Sequence, residues 1–192
     1  MTPWVVGLLV VLVLAGVVTY LRGLAGRLHT LHIRLETAQQ ALDAQLARRA
    51  GTAMEAGTSG LLDPASSLLL TAAAHTAHAV QTSHATLGAG DPGAVADREE
   101  AESALSQALR ATFDDDAVPL LRGEPAGAAL VAEVASACDR VAIARRFHND
   151  AVAATRRLRR HRAVRYLRLA GSAPWPVTVE MDDVAPPALR VR

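Results

Sequence analysis

A chain of 192 residues in which 51% of side chains are hydrophobic but only 3% aromatic must build its interior from Leu, Val and Ala. Those residues let helices approach closely, which favours a helical bundle over a β-sandwich. Net charge is +1, all 20 basic residues are arginine, and the one cysteine, Cys138, excludes an internal disulfide and lacks the partners of a cysteine zinc site.

Charge is segregated rather than balanced. Asp91 to Asp116 is strongly acidic, whereas Arg145 to Arg168 is strongly basic with Asp150 as its only acid. The complete use of arginine over lysine reads as coding bias rather than as arginine chemistry.

No charged side chain occurs from Met1 to Leu21, and Val5 to Val18 is almost wholly Val, Leu, Gly and Ala. That is close to the length a bilayer core demands of a helix. Trp4 and Tyr20 bracket the run, roughly 24 Å apart at ~1.5 Å per residue, a spacing that suits aromatic rings in two headgroup layers. A cleaved signal peptide is the rival reading; it wants basic residues before the run and a small-x-small site after it, and Arg22 follows directly instead. Arg22, Arg27 and Arg34 flank the run on its C-terminal side only, so the positive-inside rule places the rest of the chain in the cytoplasm.

After the anchor, Leu24, Leu28, Leu31, Leu35, Ala38 and Leu42 recur at alternating intervals of four and three, and the same seam reaches Gln45 and Arg49. Gly51, Gly57 and Gly60 loosen or end this first helix. Asp63-Pro64 is a cap followed by proline at the first helical position, opening a second helix predicted over 64–87 with the seam Leu69, Ala73, Thr76, Val80, Ser83, Leu87. Asp91-Pro92 repeats the start signal, and Asp97, Glu99, Glu100 and Glu102 put negative charge near the N-terminus of a third helix. That helix is expected to stop near Phe113. Gly123 and Pro125 precede a fourth, with the seam Leu130, Val134, Ala137, Val141, Ala144, His148, Ala151, Thr155, Leu158, which Gly171 and Pro174 end. The tail from Trp175 is proline-spaced and expected to be extended or loosely docked.

The predicted fold is all-α: an anchor at 1–22, an antiparallel four-helix bundle of long helices at 23–171, and an extended tail at 172–192. If the first helix leaves the membrane and the fourth returns to it, Gln45 lies level with His148. A polar layer then forms from Gln45, Arg49, Arg145, His148, Asn149 and Asp150, with Asp150 offsetting an arginine. Such a layer either fixes bundle register or binds a small anion or peptide group. The arginines Arg156, Arg157, Arg159, Arg160, Arg162, Arg165 and Arg168 are candidates for anionic lipid headgroups, or for the acidic third helix.

Two stretches bring a family into view. Gln45-Leu46-Ala47-Arg48-Arg49 resembles the Gln-Leu-x-Arg-Arg late in the first long helix of the LemA family of bacterial membrane proteins. Arg140-Val141-Ala142, continuing through Ala144-Arg145-Arg146-Phe147-His148-Asn149-Asp150-Ala151-Val152, is similar to that family's Ala-Arg-x-x-Tyr-Asn block. Val118-Pro119-Leu120-Leu121 is a weaker likeness to its Tyr-Pro-x-Leu turn. The resemblance implies an N-terminal membrane helix, an elongated helical bundle and no assigned activity. His148 stands where Tyr is usual, Cys138 where Glu is expected, and an Asp-Leu-Ile-Pro-Asn-Leu run is absent around Gly51.

Other motifs favour ordinary structure. Gly88-Ala89-Gly90-Asp91-Pro92-Gly93 matches G-x-G-x-x-G but follows a helix rather than a strand, so it reads as an interhelix turn. His29 with His32, and His75 with His78, stand at metal-capable spacing, yet no Glu-x-x-His pair accompanies them and they read as solvated faces. Cys138 and His148 are too far apart on one helix for a nucleophile and its base. Asp114-Asp115-Asp116 lacks the rest of a calcium loop. No catalysis, cofactor or metal is therefore expected. The functional expectation is a membrane-anchored scaffold or interaction module, with a small-ligand or metal-binding module built on the polar layer as the alternative. Partners expected are membrane lipid and other membrane or cytoplasmic proteins, self-association being compatible with this, whereas Tyr166 alone among the arginines argues against nucleic acid.

Overall fold

A computed structural model describes residues 3–87, 92–166 and 174–190. Among the described residues the regular elements are all helical: α1 (Pro3–Thr58), α2 (Pro64–Leu87), α3 (Pro92–Thr112), α4 (Ala117–Arg122), α5 (Pro125–Arg159) and α6 (Arg162–Tyr166), with a 3-10 turn at Pro187–Leu189. The chain divides into two compact units. The first comprises Met1–Thr37 and Asp150–Val177, the second Ala38–Asn149 and Thr178–Arg192.

In the first unit α1 begins with a stretch long and apolar enough to cross a membrane. Its large side chains from Trp4 to Tyr20 are between 46% and 87% exposed, so none of the described residues covers them. Burial begins only where the arginines begin. Leu24 and Leu28 pack with Val164, and Leu158 lies against this cluster. The break after Arg159 departs from the expectation of one helix running to Gly171. His161 N–H bonds the Leu158 carbonyl at 3.0 Å in a tightened last turn, and α6 then sets Val164 onto Leu24 and Leu28. Like charges at 156/160 and 159/162 disfavour a continuous helix there.

The second unit is organised around small residues. Ala50, Ala53 and Ala56 of α1 share one core with Leu70, Ala74 and Ala77 of α2, Leu105, Ala108, Leu109 and Phe113 of α3, Val118 of α4, and Val131, Val134 and Cys138 of α5. Gly51 and Gly57 do not end α1, which runs to Thr58. Gly57 instead marks a close crossing: a Cβ there would collide with Thr71 Oγ1 and come within 3.0 Å of the Ser67 carbonyl oxygen. The helix ends where Gly60 takes φ +74°, a left-handed conformation that suits glycine. Asp63 caps α2 as expected, its Oδ1 accepting the N–H groups of Ala65 at 3.0 Å and Ser66 at 3.1 Å.

The buried face of α2 is rotated by one residue from the expected seam. Leu70, Ala74 and Ala77 are buried, while Leu69 is 48% exposed and Thr76 and Ser83 are exposed. Leu68-Leu69-Leu70 and Ala72-Ala73-Ala74 are apolar on every side, so periodicity alone cannot choose the face. Packing against Gly57 chooses it. By contrast the α5 seam is realised, with Val134, Ala137, Val141, Ala144, His148 and Thr155 all buried. The segment 117–122, expected as a turn, is the short helix α4; Asp114 Oδ1 accepts the N–H groups of Asp116 and Ala117 at its start.

Candidate functional site

Glu102 lies on the buried stripe Arg98, Glu102, Leu105, Leu109, Thr112 of α3, spaced as one helical face. Arg49 and Glu102 are 2% and 0% exposed, and burial of both charges demands direct pairing. Arg49 Nη2 meets Glu102 Oε2 at 2.6 Å and the Glu102 carbonyl at 3.2 Å, while Nη1 donates to Ser106 Oγ at 2.9 Å. Ser106 Oγ in turn donates to the Asp182 carbonyl at 2.6 Å. Arg98, also buried, pairs with Asp43 at 2.5 Å, and Gln81 Nε2 donates to the Asp43 carbonyl. Among the described residues Gln45 Oε1, Arg49 Nε and Glu102 Oε1 are buried without a hydrogen-bond partner.

The tail is extended, as expected, but it is clasped rather than loose. Asn149 Nδ2 donates to the Val179 carbonyl at 3.1 Å and its Oδ1 accepts the Val179 N–H at 2.9 Å, so one amide side chain pairs with the backbone as a neighbouring strand would. Arg145 makes a two-pronged pair with Asp183, Nε to Oδ2 at 2.8 Å and Nη2 to Oδ1 at 2.9 Å. Arg110 holds Asp182 at 2.5 Å and donates to the Val184 carbonyl at 2.9 Å. That guanidinium beside Asp182 holds its carboxyl below the usual range. Met181 enters an apolar cluster with Leu42, Leu46, Val141 and Ala144.

The expected polar layer is thus redistributed. Arg49 is served by Glu102 across from α3, and Arg145 by Asp183 of the tail, not by Asp150, which is exposed and belongs to the first unit. His148 is buried and Gln45 half-buried. The residues that sequence reasoning missed are Glu102, Ser106, Arg110, Asp182 and Asp183. A seam drawn through α3 would have found Glu102; nothing local marks the two aspartates, whose partners lie far off in sequence.

In the first unit the arginine run is put to two uses. Arg156 Nε donates to the Pro176 carbonyl at 2.8 Å, Arg159 Nη1 donates to the Pro174 carbonyl at 2.5 Å, and the Arg159 guanidinium lies 5.0 Å from the Trp175 ring centroid, a cation–π distance. Arg157, Arg160, Arg162 and Arg165 are exposed. Arg168 lies outside the described residues, as does most of the Gly88–Gly93 turn. Of the acidic third helix, Glu102 is engaged by Arg49 and Glu99 accepts the Glu180 N–H.

Burial pushes the Cys138 thiol up, which lowers its reactivity. His29, His75 and His78 are exposed and His32 half-buried. Among the described residues no group of three His, Cys, Asp or Glu side chains is placed to hold a metal. Comparison of the chain with protein-family models, curated proteins and solved structures found no match.

Proposed function

We propose that the chain is a single-pass, membrane-anchored helical scaffold of LemA type that engages other proteins at the cytoplasmic face and performs no catalysis. One observation carries the reading: α1 opens with an apolar stretch that none of the described residues covers and continues, unbroken, into residues that form an interior. Water is a poor solvent for such a stretch, and a bilayer is a good one. Arg22, Arg27 and Arg34 are exposed on its C-terminal flank, which supports the cytoplasmic orientation.

Within the second unit we read an antiparallel four-helix bundle of α1, α2, α3 and α5. The pairing of Gly57 with Thr71 and of Asp43 with Gln81 supports opposed directions for α1 and α2. Asp43 with Arg98 and Arg49 with Glu102 support a common direction for α1 and α3. The blocks that resemble LemA supply interior residues here, Leu46 and Arg49 from one, Val141, Ala144 and His148 from the other. Because Arg49 and Arg145 are engaged by internal acids, the polar layer favours an interaction module over a small-ligand site.

Val164 rests on Leu24 and Leu28, which follow the apolar stretch by about one to two turns. Exposed Arg157, Arg160, Arg162 and Arg165 therefore suit contact with anionic headgroups, each worth roughly 1 kcal/mol near such a surface. Full-length protein should remain with membranes through alkaline carbonate extraction, and crosslinking in intact membranes should capture protein partners. Release of a soluble, shortened chain by carbonate would mean a signal peptide instead.

A further inference from the structure

We propose that the surface of α3 and α5 holding the tail is a docking groove for an extended acidic peptide segment of a partner protein, and that the chain's own tail is its resident, displaceable occupant. This goes beyond the scaffold reading by naming the partner's chemistry, and it rests on a groove that exists whether or not α1 enters a membrane.

The groove reads a peptide as peptide receptors do, through its main chain for affinity and through particular side chains for selectivity. On α3, Glu99, Ser103, Ser106 and Arg110 form one stripe at helical spacing. Glu99 Oε1 accepts the Glu180 N–H at 2.7 Å, Ser103 Oγ accepts the Asp182 N–H at 3.0 Å, Ser106 donates to the Asp182 carbonyl, and Arg110 donates to that of Val184. On α5, one turn apart, Asn149 pairs with both backbone groups of Val179 and Arg145 forks onto Asp183. None of these main-chain contacts depends on the identity of the tail side chains. Selectivity comes from three positions: an apolar anchor where Met181 meets Leu42, Leu46, Val141 and Ala144, and two carboxylates facing Arg110 and Arg145. The ligand pattern is therefore an apolar residue followed by two acidic ones in extended conformation.

The hold on the tail has the character of an exchangeable complex. Arg110 and Asp182 side chains keep 28% and 31% of their exposure, so that pair is screened by salt and weak; Arg145 and Asp183, at 22% and 14%, form the firmer, two-pronged pair. Between 174 and 186 the tail forms no helix or strand of its own. Its advantage over an incoming segment is tethering, which acts as a high effective concentration, together with Leu189, which is seated in the core with Leu70, Phe113 and Val131.

The test uses full-length protein in detergent micelles and a fluorescein-labelled peptide of residues 178–190, read by anisotropy. Wild-type protein should bind it weakly, because the tethered tail competes. A chain carrying Asp182→Asn and Asp183→Asn should bind it at least tenfold more tightly, and adding Arg110→Gln and Arg145→Gln to that chain should reverse that gain. A peptide with both aspartates replaced by asparagine should bind at least tenfold more weakly to wild type and to the double aspartate variant, and no differently from the native peptide to the form lacking both arginines. Equal binding by wild type and the double aspartate variant, or equal binding of the two peptides to that variant, overturns the proposal and leaves the tail a fixed strap. Should the variants lose their helical circular dichroism, wild-type protein decides the matter by hydrogen exchange: saturating peptide should deprotect the tail amides of Val179, Glu180 and Asp182, and unchanged protection refutes displacement. Failure here leaves membrane anchoring intact, and failure of carbonate resistance leaves the groove intact.

Discussion

Helix α1 inverts the ordinary rule of burial twice, in opposite senses. From Trp4 to Tyr20 it exposes apolar side chains, and at Arg49 it buries a charged one. The second inversion is compensated within the protein: Glu102 and Ser106 receive the guanidinium. The first has no compensation among the described residues, and that contrast separates a segment long and apolar enough to cross a membrane from a core segment on one continuous helix. A buried charge needs a partner at atomic distance, whereas an exposed apolar surface needs only a different solvent.

The contrast breaks most sharply at Glu102. Glu102→Leu leaves Arg49 charged and enclosed, and urea unfolding should show a loss of about 3–5 kcal/mol; Arg49→Met combined with Glu102→Leu should recover much of it, since a well-packed apolar pair avoids the desolvation of both ions. Leu70→Ala should cost about 2–5 kcal/mol through the cavity it leaves, while Leu69→Ala, one residue along on the exposed face, should stay within about 0.5 kcal/mol. Equal costs would mean α2 presents a different face from the one described. At the other inversion, Leu12→Arg places a charge midway between Trp4 and Tyr20 and should disfavour insertion by about 2.5–3.5 kcal/mol, read as protein moving from the membrane pellet to the supernatant with no change in unfolding of the soluble part.

Smaller effects sharpen the comparison at the tail. Asn149→Ala removes both bonds to Val179 and exposes the freed backbone groups to partial hydration, for a loss of about 1–2 kcal/mol. Arg110→Gln should cost under about 1 kcal/mol at physiological salt, because the pair with Asp182 is about a third exposed. Its signature is in pH. Since Arg110 lowers the folded-state pKa of Asp182, the pair's contribution is complete above the unfolded value of about 3.9 and fades as pH falls through the lower folded value. Arg110→Gln should therefore flatten the acid limb of the stability profile, and a limb that is unchanged would assign acid sensitivity to other carboxylates.

The residues decided a good deal by themselves. The apolar start, the Asp63-Pro64 entry to α2 and the α5 seam through Val134, Val141, Ala144 and His148 were legible because each rests on local spacing or on one cap. Tertiary structure alone decided which face of α2 turns inward, because its Leu and Ala residues surround the helix and only the close crossing at Gly57 breaks the tie. It likewise decided the partners of the buried charges. Attraction between Arg49 and Glu102, or between Arg145 and Asp183, is set by distance in space across 53 and 38 residues of chain, and spacing along a sequence carries no record of a pairing that only the packed helices create.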